Sequence, residues 1–296
     1  MLKILITGAS GFIGGSLKKF FNDIDEFHVF SPNSKDLDLS KSSSVDRYLA
    51  KNKFDVIIHT ANHHYHPRDN ESKDLNLQLE KNINMFFNII RNFKSFKKLI
   101  HFGSGGEYPR EKWHEKINEM DFLSEIPKDP YGLSKNIMNL FSQKYDNVYN
   151  LRLFGVFGEL DNWRYRFIPN ICVKAIFDKE LVVNQNAIFD FLYIKDLCNI
   201  TLKFVQNNYP GGDYNLCTAE ALELKHIANI VKEVSKKDVE INIKNSDIQT
   251  KYGGTNKKLL DIVGKYNFTK IDIAIKNVYE YLSKNKNDID ISELSV

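Results

Sequence analysis

The sequence has only three cysteines, Cys172, Cys198 and Cys217, far apart and with no CxxC pair among them. That spacing supports neither a zinc site nor a disulfide framework, and buried free thiols in a reducing compartment are expected. Long apolar runs are missing too. The run from Met1 to Thr7 stops at a glycine, too early for the core of a secretion signal. No stretch approaches the roughly 20 apolar residues of a membrane span. A soluble, cytoplasmic protein without a membrane partner is expected. Charge of one sign is equally scarce: 41 Lys and Arg against 38 Asp and Glu leave a formal +3. So small and dispersed an excess argues against a nucleic-acid partner, yet it suits a substrate carrying phosphates. Internal repeats and low-complexity segments are absent.

What is present is an alternation. With 296 residues, 42% hydrophobic and 27% charged, the chain can form one large α/β unit or a main domain with a smaller one attached. Lys3–Ile6, Phe27–Phe30, Val56–His59, Lys98–Phe102 and Val148–Leu153 read as short buried strands. Between them, Gly14–Asn22, Ser43–Lys51, Leu75–Phe93 and Tyr131–Lys144 carry apolar residues at helical spacing. This order predicts an α/β fold, a doubly wound parallel sheet with helices on both faces. After Phe157 the pattern changes. Helices at Ile168–Asp178, Leu224–Ser235 and Ile271–Ser283 and strands at Leu181–Asn184 and Asp213–Leu216 are expected there. Phe189–Val205 reads as a strand and helix returning to the main sheet. Residues 1–154 with about 188–206 are therefore assigned to the main domain, and about 155–187 with 207–296 to a smaller lobe.

Thr7-Gly8-Ala9-Ser10-Gly11-Phe12-Ile13-Gly14 follows the first strand and opens the first helix. In such a turn Gly8 permits a tight bend, Gly11 lets backbone approach a pyrophosphate, and Gly14 lets helix and strand pack closely. The phosphates would sit at the helix N-terminus, where unpaired N–H groups favour negative charge. An NAD site usually has Asp or Glu at the end of the second strand to hold the ribose 2′-OH. Here Phe30-Ser-Pro-Asn-Ser-Lys35 has no carboxylate before Asp36. Ser31, Asn33, Ser34 and Lys35 would instead donate to a 2′-phosphate, which favours NADP (NADPH) over NAD; a solvated loop is the other reading. Asp38 and Leu39 would border the adenine.

Tyr131-Gly-Leu-Ser-Lys135 places a phenol and an ammonium on one face of a helix start. The cation stabilises phenolate and so lowers the phenol's pKa from near 10. Tyr131 could then exchange a proton with a substrate oxygen while hydride moves to or from a nicotinamide. Ser104, ending the fourth strand, would hydrogen-bond the same oxygen. Alone, a Tyr and Lys at this spacing are common by chance. The glycine turn, the strand-end serine and this pair in one order are not.

Together these residues resemble the extended short-chain dehydrogenase/reductases, the family of nucleotide-sugar epimerases, dehydratases and reductases. The likeness extends through Asn82-Ile83 with Asn88, Leu151–Gly158, Asp190–Asp196 and Tyr214–Leu216. It implies a Rossmann domain that binds the cofactor, residues 1–154 with about 188–206, a smaller C-terminal α/β lobe for a nucleotide-sugar substrate, about 155–187 with 207–296, and a homodimer formed through Leu75–Phe93 and Tyr131–Lys144. It also implies cofactor contacts from Ser10, Phe12, Ile13, Thr60, Ala61, Asn62, Asn82, Phe102 and Phe154. Departures narrow the reaction. Where dehydratases of the family carry Asp and Glu after the serine, Gly105 and Gly106 stand here, so dehydration is not expected. Gly103-Ser104 through Tyr108-Pro109 is similar to the GDP-L-fucose synthase subgroup, whose epimerising Cys and His positions hold Gly106 and Arg166. A reductase of 4-keto sugars on GDP, without epimerisation, is the resulting expectation. A C4 epimerase with tightly held NAD is the alternative, and a non-catalytic cofactor sensor a remote one. With the family's diphosphate-binding Asn and Arg replaced or missing near Gly155 and Phe189-Asp190, the candidates for holding substrate are Arg164, Arg166, Asn170 and Lys174, alongside Ser104, Gly105, Gly106 and Tyr131. Ordinary surface charge is the competing reading for the basic ones. His63, His64 and His66 lack ligand spacing, so no metal is expected; the loop either touches substrate or is solvated.

Overall fold

The computed structural model describes residues 1–63 and 74–294. Two compact units result: Met1–Lys112 with Glu119–Leu153 and Cys198–Asn215, and Trp113–Asn118 with Phe154–Leu197 and the chain from Leu216 onward.

In the first unit β1 (Leu2–Thr7), α1 (Phe12–Asn22), β2 (Phe27–Phe30), α2 (Ser42–Lys51), β3 (Phe54–His59), α3 (Leu75–Ile90), β4 (Phe96–Ser104), α4 (Pro130–Ser142) and β5 (Val148–Leu153) follow one another. Strand and helix alternate as the apolar spacing predicts. The strands form a six-stranded sheet in the order β2-β1-β3-β4-β5-β9, where β9 is Gly212–Leu216. β1 to β5 pair in parallel, with Ile4 lying between Val29 and Val56. Leu5, Ile57 and Leu99 of the sheet join Phe86, Ile89 and Met138 of α3 and α4 in one buried cluster. Local chemistry sets the helix starts. The Asp74 carboxylate accepts the Asn76 and Leu77 amides at the head of α3, and Asp129 accepts the Gly132 amide beside Pro130 at the head of α4. Chain order reverses between β1 and β3. The carboxyl ends of those strands, with that of β4, therefore form the crevice in which open α/β sheets take ligands.

The second unit holds β6 (Gly155–Phe157), α5 (Phe167–Ile176), β7 (Leu181–Val183), β8 (Ile188–Tyr193), β10 (Ala221–Glu223), α7 (Leu224–Ser235), β11 (Ile241–Ile243), β12 (Lys251–Tyr252), α8 (Lys257–Val263) and α9 (Ile271–Lys284). α6 (Ile194–Gln206) runs from this unit into the first. β8 pairs with β10, β12 and β6, β7 pairs with β11, and α5, α7 and α9 pack on one another.

Two strand assignments are corrected here. The strand expected to return to the main sheet near Phe189 is β8, which belongs to the four-stranded sheet instead. The strand at Asp213–Leu216, expected in the smaller lobe, is β9 and lies beside β5 in the main sheet. Both are short strands, and their own residues do not say which neighbour supplies the hydrogen bonds. Cys172, Cys198 and Cys217 are buried free thiols. Among the described residues no helix is long and apolar enough to cross a membrane.

Candidate active site

The turn between β1 and α1 is built around two glycines with separate reasons. Gly8 has φ +73°, and a Cβ there would lie 2.5 Å from the Ala61 nitrogen. A Cβ on Gly14 would lie 2.3 Å from the Gly8 carbonyl oxygen and 2.4 Å from Thr60 Oγ1. Helix and sheet end meet too closely for either to carry a side chain. Gly11 differs, since a Cβ on it would meet only Gly8 O, at an ordinary 3.5 Å. Its side of the turn is open, and Ser10 and Gly11 are exposed while Phe12 and Ile13 are half-buried. No side chain caps α1, so its first-turn amides suit a bound pyrophosphate. Gly14→Ala is expected to lower stability by about 1–3 kcal/mol through overpacking. Urea unfolding checks this, and an unchanged midpoint would contradict the close approach.

The rest of the predicted cofactor set divides. Thr60 Oγ1 donates to Thr7 O at 2.6 Å and closes the sheet end beside Ala61 and the exposed Asn62. Asn82 is buried and spends both ends of its amide on the His63 backbone, at 2.7 and 3.0 Å, so it shapes the loop after β3. His64 and His66 lie outside the described residues. After β2, Asn33, Ser34 and Lys35 are exposed and Ser31 is half-buried. Asn33 Oδ1 accepts the Lys35 and Asp36 amides and so fixes that turn. The Ser40 hydroxyl, bonded at 2.6 Å, holds the Asp38 carboxyl below its usual range, and Leu39 is buried. Phe154 falls in the second unit, buried against Tyr252.

Ser104, Tyr131 and Lys135 converge. β4 ends at Ser104, and the next three residues form a tight turn in which Ser104 Oγ accepts the Gly106 amide at 3.1 Å. A Cβ on Gly106 would lie 3.3 Å from Ser104 Oγ and 3.6 Å from Tyr131 Cε1, so hydroxyl and phenol ring approach one point from two sides. Gly132 permits this, since a Cβ there would strike the Gly106 oxygen at 2.3 Å. Lys135 Nζ lies 5.9 Å from the Tyr131 ring centroid and donates to Phe102 O at 2.9 Å. Burial pushes the Lys135 ammonium down to about 8, against an opposing pull from Glu107.

Two buried histidines lie beneath. His59 Nδ1 and Thr7 Oγ1 are 2.8 Å apart, and His101 Nε2 and Ser142 Oγ 2.7 Å. Burial, helped by the Lys135 charge, lowers His59 to about 3 and His101 well below its ordinary value. The unfolded chain thus binds protons below about 6.5 that the native protein refuses, so stability falls as pH drops through that window. At about 1.4 kcal/mol per unit, His59 alone accounts for about 2 kcal/mol between pH 6.5 and 5. Thermal melts at pH 7 and 5 should show the loss, reduced in His59→Gln; an equal loss in that variant would rule His59 out as the source.

A buried network behind the Ser104 turn carries residues that motif reading passes over. Glu107 is fully buried. Its Oε1 accepts the Ser104 amide and Asn150 Nδ2, both at 3.1 Å, and its Oε2 accepts Asn139 Nδ2 at 2.9 Å and Arg152 Nε at 2.8 Å. Arg152, also fully buried, donates to Tyr108 Oη at 2.7 Å, Asn215 Oδ1 at 2.9 Å and Asp213 Oδ2 at 2.7 Å. A lone charge inside the apolar strand Val148–Leu153 is the one sequence signal for it.

The remaining substrate candidates lie in the second unit. Arg164 pairs with Glu293 and stacks on Trp163, and Arg166 Nε lies 3.7 Å from Asp161. Asn170 Nδ2 donates to the Trp163 and Arg164 carbonyls at 3.1 and 2.9 Å, and so braces the turn before α5. Lys174 is buried in α5.

Known proteins give this geometry a context. A GDP-6-deoxy-D-talose 4-dehydrogenase of Aggregatibacter actinomycetemcomitans is 27% identical over 296 residues, covering 94% of this chain and 97% of its own. A GDP-mannoheptose C4 reductase from Campylobacter jejuni, solved with NADP bound, shares the fold with a TM-score of 0.81 at 19% identity, over 95% of this chain and 98% of that one. A GDP-L-fucose synthetase from Naegleria fowleri bound to NADP gives 0.83 at 20% identity, over 96% and 93%. The profile of the NAD dependent epimerase/dehydratase family matches residues 4–217, from β1 through β9, and the chain belongs to that family.

Proposed function

We propose that the protein reduces the 4-keto group of a hexose or heptose, deoxy or not, carried on GDP, using NADPH and without epimerising C3 or C5. The observation that carries this reading is the meeting of Ser104 Oγ and the Tyr131 ring at Gly106, with Lys135 Nζ 5.9 Å from the centre of that ring. When bound, NADPH supplies the hydride that adds to the carbonyl carbon. The chain supplies the rest. Ser104 Oγ hydrogen-bonds the ketone oxygen and fixes its direction. Tyr131 donates its phenolic proton to that oxygen as the C=O π bond breaks, giving the alcohol, and is reprotonated from solvent. The Lys135 ammonium stabilises the phenolate left behind.

The similar proteins support the choice of sugar position and nucleotide, since two of them are named for chemistry at C4 of GDP-linked sugars. Gly105 and Gly106 offer no side chain to move a ring proton, which supports hydride transfer alone. The exposed donors after β2 support NADP over NAD. The same reading includes a cytoplasmic homodimer joined through α3 and α4 and a product used in surface polysaccharide. One relative is a dehydrogenase, so the half-reaction is tested in both directions. Purified protein is mixed with NADPH and GDP-4-keto-6-deoxyhexoses, and with NADP⁺ and the matching alcohols, while near-ultraviolet absorbance is followed. NADPH consumption with the ketone is the expected result; silence in both directions across GDP-, dTDP-, UDP- and CDP-linked sugars would overturn it.

A further inference from the structure

Glu107 occupies a place that the chemistry above does not use. Its side chain joins three pieces of the first unit. It accepts from the Ser104 amide in the turn, from Asn139 on α4, and from Asn150 and Arg152 on β5. Its backbone carbonyl accepts from Asn136 at 3.1 Å, so α4 grips the turn at two points, one and four residues beyond Lys135. Gly103 makes room, since a Cβ there would lie 2.0 Å from Glu107 Oε1.

We propose that Glu107 is a positioning residue for the reaction: its buried carboxylate clamps the Ser104 turn onto the helix bearing Tyr131 and Lys135 and supplies the fixed negative charge opposing the Lys135 ammonium. This rests on the functional reading above.

Every group that bonds the Glu107 carboxylate donates to it, the Ser104 amide, Asn139, Asn150 and Arg152 alike, so the ionised form fits the site. Burial holds the Glu107 carboxyl above its ordinary value, and the Arg152 guanidinium opposes that rise. The other titratable groups near Lys135 give its ammonium no support, since the two histidines stay neutral in the native protein. His59 on β3 and His101 on β4 lie within its field, and Arg152 on β5 and Asp213 on β9 form a pair of their own beyond Glu107. Glu107 is the acid whose field raises Lys135 against the downward push of burial. Without it the ammonium would give up its proton nearer neutrality and cease to support the phenolate.

The experiment compares Glu107→Gln, Glu107→Asp and Asp213→Asn with the native protein. Gln keeps the shape and leaves Arg152 paired to Asp213. Asp keeps the charge on a shorter stem. Asp213→Asn removes the other carboxylate from Arg152 and leaves the clamp intact. Two readouts are taken: the Lys135 titration by NMR of lysine-labelled protein, assigned against Lys135→Met, and the pH profile of kcat for ketone reduction. The proposal expects Glu107→Gln to move the Lys135 midpoint down from about 8. It also expects kcat to fall by roughly tenfold or more with KM little changed, and its alkaline decline to begin at lower pH. Glu107→Asp should restore the Lys135 midpoint, and Asp213→Asn should move neither readout. An unmoved midpoint in Glu107→Gln, or an equal movement in Asp213→Asn, overturns it. The NMR titration needs no substrate. A shifted midpoint in a protein that turns over no ketone would therefore sink the proposed reaction and leave the charge assignment standing.

Discussion

Tyr131→Phe should lower kcat for ketone reduction by about 10²–10⁴-fold, the usual worth of a positioned general acid. The variant keeps the ring that lies beside Gly106 and loses only the hydroxyl. Packing, cofactor affinity and KM should therefore stay close to native while the proton that must reach the ketone oxygen has no donor. Steady-state kinetics and a fluorescence titration with NADPH separate the two effects. A kcat within about threefold of native would mean that another group or water protonates the oxygen, and the role given to Tyr131 would be wrong.

Arg152→Met should produce the largest loss of stability. The guanidinium is fully buried between Glu107 and Asp213 and donates four hydrogen bonds of 2.7–2.9 Å. Removing it leaves two carboxylates in the interior without their cation, which costs about 3–5 kcal/mol where one partner of a buried pair is deleted. In a chain of this size that lowers the thermal midpoint by roughly 10 °C. Lys257→Ala makes the contrast. It removes a pair to Asp261 of similar length, 2.7 Å, but on the surface, where water and side-chain entropy leave about 0–1 kcal/mol. Equal losses from the two variants would show that Arg152 is no keystone.

Much of this was legible in the chain, and the limits have physical causes. Phe27–Phe30, Val148–Leu153 and Leu224–Ser235 fall on the predicted bounds, because apolar spacing with polar stops defines strands and helices locally. α3 stops at Ile90 rather than Phe93, since Phe93–Ser95 tighten into a 3-10 turn whose apolar spacing resembles helix. Ser104, Tyr131 and Lys135 were visible as a set because strand end and helix start carry them in order. The choice of sheet for β8 and β9 was not, because it depends on partners far off in the chain. Glu107 and Arg152 were hidden for the same reason. Glu107 looks like one more acid in a charged loop until Asn139, Asn150 and Arg152 close over it. Asn82 and Asn170 stood in the expected set, but their amides are committed to backbone at His63 and Trp163–Arg164, a use that no motif announces.

The bare carbon at Gly106 has a last consequence. A methyl group placed there would rest at ordinary distance from the phenol ring and need only a few tenths of an ångström from the Ser104 hydroxyl. The turn thus accepts a first side-chain carbon at this position with little rebuilding of its walls. Under the proposed reaction, Gly106→Cys would add a second group able to carry a proton next to Tyr131, the kind of group that an isomerising relative of such a reductase would need.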